Sequence, residues 1–217
     1  MTVIFATVGT SALYNRDIGK GWKREAILKS KIRSYQDNKQ KDPTEWEHLF
    51  EDLVTVHAEV FQSAWDKKDH FRTSAELTST MYLLGNNVEA AKVAKIVYLA
   101  SATRESEMAA RVNEAVAKKR WPKLAIARDR IEGLEAHYIE VRDAIAKVAK
   151  SHVPAGHNVI FNITGGFKGA IPSIADLARK EGWTVFYQHE SLEFGVGFTY
   201  PVPSGPIQEK QWPKPTL

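Results

Sequence analysis

Asn162-Ile163-Thr164-Gly165-Gly166-Phe167-Lys168-Gly169 is the stretch on which the fold turns. A buried-strand pattern, Asn158-Val159-Ile160-Phe161, precedes it, and an apolar helical pattern from Ala170 to Ala178 follows. The unit is therefore strand, glycine turn, helix. Two glycines let a backbone approach a ligand closely. The N–H groups at the start of the helix favour anions, phosphate above all. Thr164 adds a hydroxyl and Lys168 a positive charge on the same turn. The motif lacks the spacing of a Walker A loop or a dinucleotide fingerprint. Taken alone, it is equally a tight βα turn with a solvated lysine.

Working outward, the chain of 217 residues fits a single α/β domain. It has 43% hydrophobic and 26% charged residues, as soluble globular proteins do. The absence of cysteine excludes disulfides, thiol catalysis and cysteine–zinc sites, and fits a reducing cytoplasm. The N-terminal apolar run Val3-Ile4-Phe5-Ala6 is too short for a signal peptide or a membrane span. A net charge of +4 tolerates an anionic ligand but is too small and dispersed for duplex DNA.

The chain opens with an all-apolar strand, Thr2 to Val8, of the kind found inside parallel sheets. It ends in Gly9-Thr10-Ser11, a second small-residue turn. From this segment alone Ser11 reads as a turn former or helix N-cap. Residues 20–90 are mostly helical: Lys23 to Asn38, Pro43 to Lys68, and a helix opened by Ser74-Ala75-Glu76-Leu77 and broken at Gly85. They form a helical insertion after the first strand, packed on the same domain. Strands and helices then alternate. Strands are expected at Lys95–Ala100, Leu124–Ala127, Asn158–Phe161 and Trp183–His189, with helices between them. Arg128 to Leu134 reads as a loop. Phe194 to Pro201 reads as a bend and a short antiparallel edge strand. The proline-rich tail from Gln211 reads as irregular. The expected fold is a Rossmann-like parallel sheet with helices on both faces.

Small polar turns recur at three strand ends: Gly9-Thr10-Ser11, Ser101-Ala102-Thr103 and Thr164-Gly165-Gly166. In open α/β sheets ligands gather at that edge. Hydroxyls and backbone N–H groups converging there suit several phosphates or ribose hydroxyls. Candidate binding residues are Gly9, Thr10, Asn15, Ser101, Thr103, Asn162, Thr164, Gly165, Gly166 and Phe167. The pattern contains no HExxH, no EF-hand loop and no acid pair suited to two metals, so no metal or cofactor is expected. Of the scattered histidines only His189 falls near this edge, where a structural role is the simpler one.

Thr7-Val8-Gly9-Thr10-Ser11-Ala12-Leu13-Tyr14-Asn15 resembles the opening of the CRISPR-associated Rossmann fold (CARF) domains. Asn162 to Lys168 resembles their fourth-strand motif, and the resemblance extends over essentially the whole chain. Ser74-Ala75-Glu76-Leu77, Ser101-Ala102-Thr103 and Ile131-Glu132-Gly133-Leu134 fall in the same order as weaker landmarks. One departure is Ala102, where an aspartate is common in the family.

The resemblance implies a homodimer that binds a cyclic oligoadenylate across its two-fold axis. No arginine is followed five residues later by histidine, so the RxxxxH signature of HEPN ribonucleases is absent. No stretch after about residue 205 is long enough for an effector domain. The chain is thus similar to stand-alone ring nucleases, which cut the messenger to linear di-adenylates ending in 2′,3′-cyclic phosphate. Ser11 and Lys168 are the expected catalytic residues. Ser11 would hold the ribose 2′-hydroxyl or a phosphate oxygen, and Lys168 would stabilise transition-state charge. Without an evident general base, the reaction is expected to be slow. A binding-only CARF sensor and an unrelated nucleotide-binding α/β enzyme remain as alternative readings.

Overall fold

A computed structural model describes residues 1–14, 18, 20, 23–37, 43–66, 73–85, 92–133, 138–166, 168–188, 195–199 and 208–212. The strands are β1 (Thr2–Thr7), β2 (Val93–Ser101), β3 (Ala125–Ile131), β4 (Asn158–Asn162), β5 (Thr184–Gln188), β6 (Gly195–Thr199) and β7 (Gln208–Trp212). The helices are α1 (Ser11–Tyr14), α2 (Glu25–Asp37), α3 (Pro43–Asp66), α4 (Ala75–Gly85), α5 (Arg104–Arg120), α6 (Tyr138–His152) and α7 (Ile171–Glu181). A 3-10 turn at Lys168–Ala170 leads into α7.

One seven-stranded sheet has the order β3-β2-β1-β4-β5-β6-β7. The first five strands are parallel, and β6 and β7 are antiparallel. The fold is a Rossmann-like α/β sandwich. Strand order reverses between β1 and β4, which opens a crevice at their C-terminal ends.

Strand periodicity explains the two faces. Successive side chains of a strand point to opposite sides. Ile4, Ala6, Ile96, Tyr98 and Ile160 pack with residues of α1 to α5. Val3, Phe5, Val97, Leu99, Val159 and Phe161 pack with residues of α6 and α7. All of β1 is buried, as its unbroken apolar run requires. Helices α2 to α4, which lie between β1 and β2 in the chain, contribute Leu28, Leu49, Leu53 and Leu77 to the first of these cores. Side-chain contacts tie α2 and α3 to α5. Arg111 donates two 2.9 Å hydrogen bonds to the Glu47 carboxylate, and the Arg104 guanidinium lies over the Trp46 and Tyr35 rings.

Three expectations need correction. β3 runs on through Arg128 to Ile131, because this strand lies at the sheet edge, where Arg128 and Arg130 stay exposed and pair with Glu114 and Glu107 of α5. The antiparallel strand near residue 195 is not the edge: β7 pairs outside it. Gln211 and Trp212 belong to that strand, which stops where the prolines begin. Proline cannot donate to a ladder but does not prevent a strand before it. Among the described residues no helix is long and apolar enough to cross a membrane.

His57 of α3 is wholly buried, and its Nε2 lies 2.7 Å from the Ala12 carbonyl oxygen of α1. Its Nδ1 lies 3.2 Å from the Thr73 hydroxyl. Burial pushes the imidazole down from 6.5 to about 4, against the opposing pull of the Ala12 hydrogen bond. The unfolded chain therefore binds the proton first. The stability held by neutral His57 is complete above about pH 6.5 and is lost as pH falls toward 4. Between pH 8 and pH 5 the wild type should lose about 2 kcal/mol more unfolding free energy than His57→Gln, measured by urea denaturation. Equal losses in the two proteins would show that His57 does not titrate in this range.

Candidate functional site

The three turns expected to converge do so, since β2, β1 and β4 are neighbours in the sheet. The β1 and β4 turns touch. A Cβ placed on Gly9 would lie 3.0 Å from the Gly166 nitrogen. The Thr7 hydroxyl lies 2.6 Å from the Gly165 carbonyl oxygen and 3.2 Å from that of Asn162. Gly166 has φ +93°, a left-handed conformation that glycine adopts without strain.

The centre of the arrangement is a residue the sequence did not single out as functional. Glu76, in the first turn of α4, is fully buried. Its Oε1 accepts the Gly9 N–H at 2.8 Å, and its Oε2 accepts the Ser11 hydroxyl at 2.6 Å. The same carboxylate occupies the space over Gly165, where an added Cβ would fall 2.0 Å from Oε1. Two charge-assisted hydrogen bonds and the positive end of α4 offset the desolvation of the carboxylate. Helix α4 starts where it does because Ser74 accepts the Leu77 N–H at 3.1 Å, as an N-cap does. The Ser74 hydroxyl donates onward to Asn113 Oδ1 at 2.7 Å, which ties the helix start to α5.

The predicted residues divide by what they touch. Ser11 is half-exposed, and its oxygen also receives the Ala75 N–H at 3.2 Å. It begins α1 rather than capping it, since the Thr10 carbonyl accepts the Leu13 and Tyr14 N–H groups. Thr10 is exposed at the rim, whereas the Gly9 N–H is already held by Glu76. Asn162 is buried, with Nδ2 donating to Ser79 Oγ at 2.7 Å and Oδ1 accepting the Thr164 N–H at 3.2 Å. It braces the turn from behind. Ser79 in turn donates to the Ala75 carbonyl at 2.7 Å. The Thr164 hydroxyl accepts the Gln188 N–H at 3.0 Å and so joins the turn to β5.

At the β2 end, Thr103 caps α5 by accepting the Ser106 N–H at 3.3 Å, and its hydroxyl lies 3.1 Å from that of Ser101. Ser106 donates to the Val8 carbonyl at 3.0 Å, which fixes this turn to the β1 turn. Lys168 is exposed, with Nζ 5.5 Å from the Tyr187 ring centroid. The start of α7 just beyond it has no side-chain cap on its N–H groups. Burial, with the Glu105 charge, pushes the Tyr14 phenol up to about 12, so it stays protonated. Asn15, Phe167 and His189 lie outside the described residues. Among the described residues no cluster of three or more histidine, aspartate and glutamate side chains could hold a metal ion.

Residues 71–196 match the family model of a CRISPR-associated protein, Cas_APE2256. The chain belongs to this CRISPR-associated family. The matched range holds Glu76, the β2 turn and the whole β4 motif, while the β1 turn lies before it. No curated protein matches the chain. Among solved structures it is similar to Can2 from Sulfobacillus thermosulfidooxidans, determined in complex with cyclic tetra-adenylate. That alignment has 11% identity and a TM-score of 0.45, and covers 100% of this chain and 39% of the Can2 chain. The chain thus spans about two-fifths of the length of that relative.

The β4 turn tolerates no side chain at either glycine. At Gly166 a Cβ would lie 2.7 Å from Thr7 Cβ, and the backbone is left-handed. Gly166→Ala should lower stability by roughly 2 kcal/mol or more through strain and steric displacement. Thermal unfolding checks this, and an unchanged midpoint would contradict the tight contact of the two turns.

Proposed function

We propose that this protein binds a cyclic oligoadenylate and cleaves it, so ending the signal of a type III CRISPR response. Cyclic tetra-adenylate is the proposed ring. The observation that carries the reading is the meeting of the Ser11 and Gly165-Gly166-Lys168 turns at the switch point of the sheet, in a chain of a CRISPR-associated family. A homodimer in the cytoplasm would present two copies of each turn to a symmetric ring, which suits an isologous interface.

The chemistry needs little from the protein. Each ribose 2′-hydroxyl lies beside its own 3′-phosphodiester. Rotating the sugar puts the 2′-oxygen in line with the leaving 5′-oxygen, and the attack is then intramolecular. Lys168 supplies positive charge to the non-bridging oxygens, and N–H groups of the β4 turn and the uncapped start of α7 assist. Lys168 is exposed in the free protein, so its charge acts most strongly once a ring covers it. Products are linear di-adenylates ending in 2′,3′-cyclic phosphate.

Three measurements test this. Cleavage of cyclic tetra-adenylate should persist in EDTA, and strict dependence on Mg²⁺ or Mn²⁺ would replace the in-line scheme. Lys168→Ala should lower the single-turnover rate by roughly 10²–10³. Thr199→Ala is the control: Thr199 pairs with Thr184, at the end of β5 away from the site, and should change little. Tight binding by the wild type without any cleavage would make the protein a sensor instead. Sedimentation should give a dimer at micromolar concentration, and a monomer both with and without ring would sink the two-fold site.

A further inference from the structure

Holding a ribose hydroxyl and holding a phosphate oxygen are opposite tasks for Ser11. A hydroxyl has one hydrogen and two lone pairs. The Ser11 hydrogen points to Glu76 Oε2, 2.6 Å away. One lone pair takes the Ala75 N–H at 3.2 Å. One lone pair is left on a half-exposed side chain. Phosphate oxygens are acceptors and cannot use it, whereas a sugar hydroxyl is a donor and can. Turning the Ser11 hydrogen outward would strip a fully buried carboxylate of one of its two hydrogen bonds. Leaving such a group unsatisfied is costly.

We propose that Glu76 is a positioning residue that makes Ser11 a hydrogen-bond acceptor, so that this turn selects a ribose 2′-hydroxyl, and that the pair carries away its proton. This rests on the cyclic-oligoadenylate reading above. In the step, the 2′-oxygen bonds to phosphorus as the bond from phosphorus to the 5′-oxygen breaks. The 2′-hydroxyl proton passes to Ser11 Oγ while the Ser11 proton passes to Glu76 Oε2. The departing 5′-oxygen takes a proton from water, and the hydroxide so formed takes back the proton that Glu76 returns through Ser11. A serine alone is a poor base. The carboxylate behind it turns the serine into a relay, in the manner of a nucleophile backed by a base. The same contact makes the site discriminate RNA-type rings, since a sugar without a 2′-hydroxyl hydrogen meets a lone pair with nothing to give it.

The test pairs protein variants with ring chemistry. Cyclic tetra-adenylate is compared with its 2′-fluoro analogue, which lacks the hydroxyl hydrogen. Affinities are measured at low temperature before turnover, with the ring checked intact. The wild type should prefer the hydroxyl ring by about tenfold or more. Ser11→Ala should bind the two rings about equally. Glu76→Gln should lose most of the preference, because the amide can donate to Ser11 and free the serine hydrogen to turn outward. It should also cleave at least about 100-fold more slowly in single turnover. Its affinity for the 2′-fluoro ring should stay within about threefold of wild type, which a collapsed site would not allow. If Glu76→Gln does not fold, judged by thermal unfolding, Ser11→Ala against the two rings still decides. No preference in the wild type, or an unchanged preference in Ser11→Ala, overturns the proposal. Binding of neither ring by the wild type would instead remove the cyclic-oligoadenylate reading itself.

Discussion

One buried carboxylate joins the parts of this site that the chain keeps far apart. Glu76 lies 67 residues from Gly9 and 65 from Ser11, yet it receives a hydrogen bond from each. It also fills the volume that a side chain at residue 165 would need. Three demands therefore meet at one point. Residue 9 must offer a free N–H, residue 11 a hydroxyl, and residue 165 no side chain. A buried charge is tolerable only when its hydrogen bonds are complete. The geometry of both turns is thus coupled to the position of α4.

That coupling gives the helices between β1 and β2 a purpose beyond packing. α4 is delivered to the sheet edge by a frame of side chains: Ser74 on Asn113, Ser79 on Asn162, and leucines of α2 and α3 in the core below. The long α3 is itself tied to α5 by the Arg111–Glu47 pair and by the Arg104 guanidinium over Trp46. These helices build one wall of the candidate site. The β4 turn is braced from the sheet as well, by Thr7 from β1 and by the Gln188 backbone from β5.

The sheet was legible because strand periodicity and strand-end glycines are local signals. β1, β2, β4 and β5 each carry a run of apolar residues that only a doubly covered sheet can bury. The convergence of three turns was expected from their place at strand ends, and the strand order brings it about. What the sequence could not show was distance in space. An acid in the first turn of a helix is commonplace, since it complements the helix dipole. Nothing local marks Glu76 as reaching a turn more than sixty residues away. The Ser-Ala-Glu-Leu stretch was visible only as a helix start and as a landmark of a resemblance. Asn162 misled in the opposite sense: its place in a glycine motif suggested ligand contact, whereas its amide is spent inside the protein. The C-terminal strand was hidden by the prolines that follow it, and the second half of β3 by charges that its place at the sheet edge makes tolerable.

The same connections argue that site geometry and fold stability are not separable here. His57 holds the Ala12 carbonyl, and Ala12 follows Ser11 in α1. Neutral imidazole can donate from one nitrogen to that carbonyl while its other nitrogen meets Thr73. Thr73 immediately precedes Ser74, the cap of the helix that carries Glu76. His57 therefore contacts Ala12, next to Ser11, and Thr73, three residues before Glu76. A charged imidazole here would face a carbonyl and a hydroxyl but no carboxylate, so its desolvation favours a rearrangement that lets it out. That rearrangement shifts α1 against α4. The first structure lost on acidification should then be the Ser11–Glu76 contact, before the sheet itself gives way, since the sheet's own hydrogen bonds contain no group that titrates there.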